Sequence, residues 1–131
     1  MTERRCESNL LGASKDWVRR PAGIIFWWVL PLGLGVASEV LHLPLAHSAL
    51  LWAVALAWMG TGCAVNALRC RRRHCFISGP VLWLGAIVAG LVALGLIRGQ
   101  RSLAETVNAT LVITGLSFLA DCLWGPYAGT K

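Results

Sequence analysis

The sequence predicts an all-α integral membrane protein, a four-helix bundle with both termini in the cytoplasm. Of its 131 residues, 56% are hydrophobic and only 14% are charged, which is too apolar for an ordinary soluble domain. Four apolar stretches are each long enough to cross a hydrocarbon core of about 30 Å as helices. Basic residues are grouped beside these stretches, a pattern typical of membrane orientation. Since no segment alternates like a transmembrane strand, we expect helices to satisfy the backbone in lipid.

The chain begins with a polar, charged segment over residues 1–21, which we expect to be a cytoplasmic tail. A signal peptide is the alternative interpretation, because a basic start precedes an apolar run. The first span covers about 22–41. Within it, Pro31 removes a backbone hydrogen bond, which predicts a kink. Gly33 and Gly35 predict the close approach of a neighbouring helix.

The second span covers about 46–70 and leads into a loop rich in arginine and cysteine. Cys63, Asn66 and Cys70 are spaced so that they share one stripe near the end of this helix. The arginines of the loop are expected to hold this end at a membrane surface. The residues predicted to bind anionic lipid headgroups are Arg69, Arg71, Arg72 and Arg73.

The third span covers about 79–97. Ser78 and the Gly-Pro dipeptide that follows it predict the helix start, with Ser78 as the cap. The fourth span covers about 103–124 and ends at a Gly-Pro pair. The predicted membrane domain therefore extends over 22–126, with a short C-terminal tail at 127–131.

The distribution of positive charge predicts the topology. If both termini are inside, ten of the twelve Lys and Arg residues lie on the cytoplasmic side and only Arg98 and Arg101 lie outside. We therefore expect a multi-pass protein of a bacterial inner membrane. This topology places Cys63, Cys70, Cys75 and Cys122 at the same membrane face.

The thiol-rich face is the candidate metal site. Thiolates and an imidazole are ligands for soft ions such as Hg(II), Cu(I) or Cd(II), and the neighbouring arginines favour the thiolate form. Their spacing is not that of a zinc finger. In the alternative interpretation the cysteines have no functional role, and the arginines only anchor the loop to anionic lipid headgroups. The predicted ligands are Cys63, Cys70, His74, Cys75 and Cys122.

Polar side chains near the span ends are the second group of candidates. At the outer end, carboxylates and imidazoles can line the mouth of a pathway, or they can simply be solvated. At the inner end, Asp121 either attracts a cation beside Cys122 or pairs with an arginine of the loop. The predicted pathway residues are Glu39, His42, His47, Asn66, Glu105, Asn108 and Asp121.

Other function classes are disfavoured. No nucleophile, phosphate-binding or metalloprotease motif occurs, so we do not expect an enzyme. Nucleic acid is not an expected partner, because the basic clusters flank apolar runs. The five cysteines are an odd number, which prevents complete internal disulfide pairing. A soft metal ion is the only cofactor that the residues suggest.

Four short spans, cysteines at their cytoplasmic ends and a basic central loop resemble the small bacterial inner-membrane proteins of mercuric-ion transport. The resemblance implies that cysteines pass a thiol-binding ion inward, a role that falls here on Cys63, Cys70, Cys75 and Cys122. Those transporters carry a closely spaced cysteine pair in an early span, whereas the first span of this chain has no cysteine.

The leading hypothesis is therefore uptake or handling of a soft heavy-metal cation through a relay of thiolates. The alternative is a structural or accessory subunit whose arginine loop binds lipid. The expected partners are the bilayer, anionic headgroups and the metal ion, together with further copies of the chain or a larger membrane complex.

Overall fold

The computed structural model describes residues 20–70, 73–97 and 100–124, with the backbone alone at 70, 73, 100 and 120–124. These residues form four helices, each long and apolar enough to cross a membrane, which confirms the all-α prediction. The predicted C-terminal tail lies outside the described residues, and so does the predicted N-terminal tail apart from residues 20 and 21. The helices are α1 (Pro21–Val40), α2 (Leu45–Cys70), α3 (Arg73–Ala93) and α4 (Gln100–Trp124).

A π-helical turn interrupts α1 ahead of its proline. The turn spans Ile25–Val29, and the Leu30 amide bonds to the Ile25 carbonyl. Pro31 lacks an amide hydrogen, and its ring would clash with the carbonyl four residues earlier in a regular α-helix. The wider turn removes that conflict. The disturbance that the sequence predicts at Pro31 therefore takes the form of a π turn.

The third helix begins earlier than the sequence predicts. It starts at Arg73, not at 79, so Ser78 is an interior residue and not a cap. The Ser78 hydroxyl donates to the carbonyl of His74 at 2.8 Å. Pro80 lies inside the helix and leaves one carbonyl without its usual amide partner. The early start buries His74 and Cys75, and this packing outweighs the local start signal.

The helices pack in sequence order, and the α2–α3 interface is the most extensive. α1 packs mainly on α2, and α4 packs mainly on α3. At the end that carries the arginine loop, Trp28 of α1 and Phe118 of α4 meet edge to face, with ring centroids 5.6 Å apart. The outer helices therefore close on each other at that end of the bundle.

Glycines give the α1–α2 interface its close fit. A Cβ atom added to Gly35 of α1 would lie 2.7 Å from the Trp52 ring of α2. Reciprocally, a Cβ atom on Gly62 of α2 would lie 2.7 Å from the Trp27 ring of α1. Thus a tryptophan of each helix packs against a glycine of the other helix, at two levels of the α1–α2 interface. The prediction of close approach holds for Gly35 but not for Gly33, which faces open space.

Two helices end in the same hydrogen-bonded motif. At the end of α1, His42 has φ 50°, and the Leu43 amide bonds to the Ser38 carbonyl. At the end of α3, Gly95 has φ 73°, and the following amide makes the equivalent bond. A left-handed residue is required at this position of a Schellman motif, and glycine adopts it without steric cost. His42 therefore holds a conformation that costs about 1–2 kcal/mol in a residue with a side chain.

His42→Gly is expected to raise the free energy of unfolding by about 1 kcal/mol, because glycine relieves the left-handed strain. Gly95→Ala is expected to lower it by a similar amount for the converse reason. Denaturant titration in detergent measures both changes. His42→Ala is the control and should have little effect, since alanine keeps the strain. A stability loss in His42→Gly would mean that the imidazole makes a compensating contact.

Gly35→Ala is expected to destabilise the protein by about 1–3 kcal/mol, because the new methyl group overlaps the Trp52 ring. Gly33→Ala, two residues away in open space, is the matched control and should be neutral or stabilising by up to about 1 kcal/mol. The measurement is thermal unfolding followed by circular dichroism. Equal effects of the two substitutions would contradict the tight α1–α2 fit.

Candidate functional site

Two thiols from different helices meet near the arginine-loop end of the bundle. Cys63 of α2 and Cys75 of α3 are free cysteines, and each is only 2% exposed. Their side chains belong to one buried cluster and line the same small cavity. They meet because α2 and α3 form an antiparallel hairpin, so that the last turns of one helix face the first turns of the other.

Each sulfur also has a neutral polar partner on the opposite helix. The Asn66 amide nitrogen of α2 lies 3.6 Å from the Cys75 sulfur of α3. The Ser78 hydroxyl of α3 lies 3.4 Å from the Cys63 sulfur of α2. Both donors are buried. Outer-shell hydrogen bonds of this kind orient ligand atoms and balance part of their charge.

An imidazole completes the cluster. His74 is fully buried, and its Nε2 atom lies 3.3 Å from the Cys75 sulfur. The ring stacks on Phe118 of α4, with centroids 4.1 Å apart and an interplanar angle of 29°. Because Phe118 also contacts Trp28 of α1, residues of all four helices surround the thiol pair.

A small cavity of about 10 Å³ lies against the thiols. Trp27 and Trp28 from the π turn form its wall on the α1 side. Its volume is close to the minimum for one water molecule, which limits an occupant to a single small species such as a bare ion. The lining residues are Gly23, Trp27, Trp28, Gly62, Cys63, Asn66 and Cys75.

The structure brings together four of the predicted inner residues, namely Cys63, Asn66, His74 and Cys75. Among the residues whose side chains are described, no three His, Cys, Asp or Glu side chains are arranged to hold a metal ion. The thiol pair is therefore what the described residues retain of the predicted ligand set. Arg69 is exposed at the end of α2. Arg71 and Arg72, and the side chains of Cys70, Arg73, Asp121 and Cys122, lie outside the described residues.

The predicted outer residues separate into two groups. Glu39 and Asn108 line one cavity of about 240 Å³ between α1 and α4. His42, His47 and Glu105 are exposed and are not among the residues lining that cavity. Glu105 instead forms an exposed ion pair with Arg101 at 3.0 Å on the same helix.

Sequence reasoning missed two residues of the thiol cluster. Ser78 follows His74 by one helical turn, so it could be placed beside the thiols only once the early start of α3 was known. Phe118 has no signal in the sequence, since an aromatic residue in an apolar span looks like any lipid-facing side chain.

Comparison with protein-family models, with curated proteins and with solved structures found no match for this chain. The functional argument therefore rests on the chemistry and geometry of its own residues.

Mild oxidation of the reduced protein with copper phenanthroline is expected to join Cys63 to Cys75, since both thiols line the same small cavity. The oxidant takes two electrons, and two protons leave as the S–S bond forms. Peptide mass spectrometry identifies the product, and Cys63→Ser and Cys75→Ser should each lack it. A mixture in which Cys75 links mainly to other cysteines would contradict the described pairing.

Proposed function

We propose that this protein binds and transfers a soft heavy-metal cation, with Hg(II) as the favoured ion, at the Cys63–Cys75 thiol pair. One observation carries the proposal: two free, buried thiols from facing helices line the same small cavity, and each has a neutral polar partner across the helix interface. The proposal places this site toward the cytoplasmic side of a bacterial inner membrane, in agreement with the positive charge of the adjoining loop.

The ligand set selects the class of ion. Thiolates bind soft ions in preference to Mg(II) or Ca(II), which take oxygen ligands. Structural zinc sites usually have four ligands, and the described residues do not supply them around the pair. Hg(II) and Cu(I) are each satisfied by two sulfur atoms. The cavity of about 10 Å³ also suits an ion that has shed its water.

Charge favours Hg(II) over Cu(I). Binding replaces two S–H protons with one Hg(II), so that a neutral complex is formed and two protons are released. The same two thiolates with Cu(I) carry one negative charge, which is costly to bury within a membrane domain. A neutral dithiolate complex adds no such cost between α2 and α3.

Transfer requires acceptor thiols within reach of the pair. The proposed acceptors are Cys70, at the end of α2, and Cys122, in the last turn of α4. Both belong to the same end of the bundle as the pair. Exchange between thiolates replaces one metal–sulfur bond with another of the same kind, so each step is nearly balanced in energy. The inward direction follows from the resemblance to mercuric-ion transport.

The reduced, purified protein in detergent is expected to bind one Hg(II) ion at the pair in competition with an excess of a small monothiol. Ultraviolet thiolate-to-metal absorption follows the titration. Cys63→Ser and Cys75→Ser should each weaken this binding by about 100-fold or more, because one thiolate must then be replaced by a poorer ligand. Cys6→Ser, a thiol of the N-terminal tail, is the matched control and should leave it unchanged.

Unchanged binding in both pair variants would overturn the proposal and leave the accessory-subunit alternative in its place. Proteoliposomes loaded with a cytosol-like thiol then distinguish transfer from storage. Radiolabelled Hg(II) should accumulate inside with the native chain and not with Cys63→Ser. Binding without accumulation would restrict the function to holding the ion.

A further inference from the structure

The cavity at the opposite end of the bundle is a second candidate binding site. We propose that it binds an organic ammonium group that carries a small apolar body. The cavity is about 240 Å³ and lies between the end of α1 and the start of α4. Its chemistry differs from that of the thiol pair, so this inference stands apart from the soft-metal proposal. The lining residues are Glu39, Trp52, Leu103, Ala104, Val107 and Asn108.

The shape of the bundle explains the cavity. α1 packs mainly on α2 and α4 mainly on α3, so the two outer helices need not touch along their length. They meet through Trp28 and Phe118 at the thiol end. At the other end, residues of α1 and α4 line the cavity together with Trp52 of α2. The result is a cleft that carries Glu39 on one side and Asn108 on the other.

The charge of the cleft favours a cation. Glu39 is exposed, and its Oε1 atom accepts one hydrogen bond from the Trp52 indole nitrogen at 3.2 Å. Among the described residues, the Trp52 indole is the polar partner of the Glu39 carboxylate, and no cationic side chain forms an ion pair with that carboxylate. Glu105, by contrast, is neutralised by Arg101 on its own helix. An unpaired carboxylate at a membrane boundary attracts a positive group.

The remaining residues define the class of cation. One carboxylate and one amide carbonyl provide too few oxygen atoms for Ca(II), which takes six to eight, and the cleft has no thiol for a soft ion. The carboxylate and the amide carbonyl do suit a primary ammonium, which donates several hydrogen bonds. Leu103 and Val107 supply an apolar wall for the body of the ligand. The volume is below the range of about 300–1,000 Å³ found for drug-sized ligands, so the ligand is small.

The ammonium can come from two sources, a free amine or the headgroup of an ethanolamine lipid. The probe is 2-phenylethylammonium, with 2-phenylethanol as a neutral molecule of nearly the same shape. Calorimetry on the protein in detergent should detect the cation, and the alcohol should bind at least about tenfold more weakly, since it lacks the charge. Nanodiscs containing phosphatidylethanolamine, compared with digalactosyldiacylglycerol, a neutral lipid without an ammonium group, should weaken probe binding if the headgroup occupies the cleft. Equal binding in the two lipids identifies a free amine as the ligand.

Glu39→Gln is expected to weaken binding of the cation by about tenfold or more. The variant should fold, because the amide oxygen can still accept the Trp52 hydrogen bond. Glu105→Gln removes the same charge outside the cleft and should bind normally. Asn108→Leu keeps the size but not the carbonyl and should also weaken binding. Equal affinity in native protein and Glu39→Gln, or equal binding of the alcohol, would overturn the inference. Cys63→Ser should leave amine binding intact, which separates this result from the soft-metal test.

Discussion

The close packing of α2 against α3 is the constraint on which the rest of the molecule depends. In lipid, no hydrophobic force draws helices together, so association relies on small residues that allow close contact. A Cβ atom on Gly60 of α2 would lie 2.8 Å from Trp83 of α3, and Gly79 of α3 lies against Cys63 of α2. These contacts fix the separation of the two helices at the level of the thiols. α1 then packs on α2, and α4 packs on α3.

Polar side chains in the bundle follow two different patterns. Most hydroxyl groups bond within their own helix; Thr61, for example, donates to a carbonyl one turn earlier at 2.8 Å. Such bonds satisfy the group without affecting helix arrangement. Asn66 instead reaches across the α2–α3 interface to the Cys75 sulfur, and Ser78, which bonds to a carbonyl of its own helix, also lies 3.4 Å from the Cys63 sulfur of the other helix. Hydrogen bonds between helices therefore concentrate around the sulfur atoms, where a bound metal would need oriented ligands.

Hydropathy predicts the four helices well, because a run of about 20 apolar residues is a local feature of the sequence. The spacing of Cys63 and Asn66 also predicts their shared face correctly, since an α-helix fixes it. The start of α3 is predicted wrongly because the Ser-Gly-Pro signal is local, whereas the burial of His74 is tertiary. The sequence groups Glu39 with Asn108 at one end of the spans, but it does not predict a cleft between them, because helical periodicity does not specify which spans are lateral neighbours. The sequence thus indicates which residues share a helix face or an end of the bundle, whereas contacts between helices depend on tertiary packing.

The π turn in α1 has a consequence for the phase of the helix. Adding one residue to a turn rotates everything before it by about 100° relative to a continuous α-helix. The four residues ahead of the turn, Pro21–Ile24, therefore present a different side to α2 than their spacing from Pro31 implies. In this rotated setting Gly23 lines the thiol cavity. Loss of a single residue from Ile25–Val29 would return the segment to the regular phase and turn Gly23 away from Cys63, while the apolar length of the span would scarcely change.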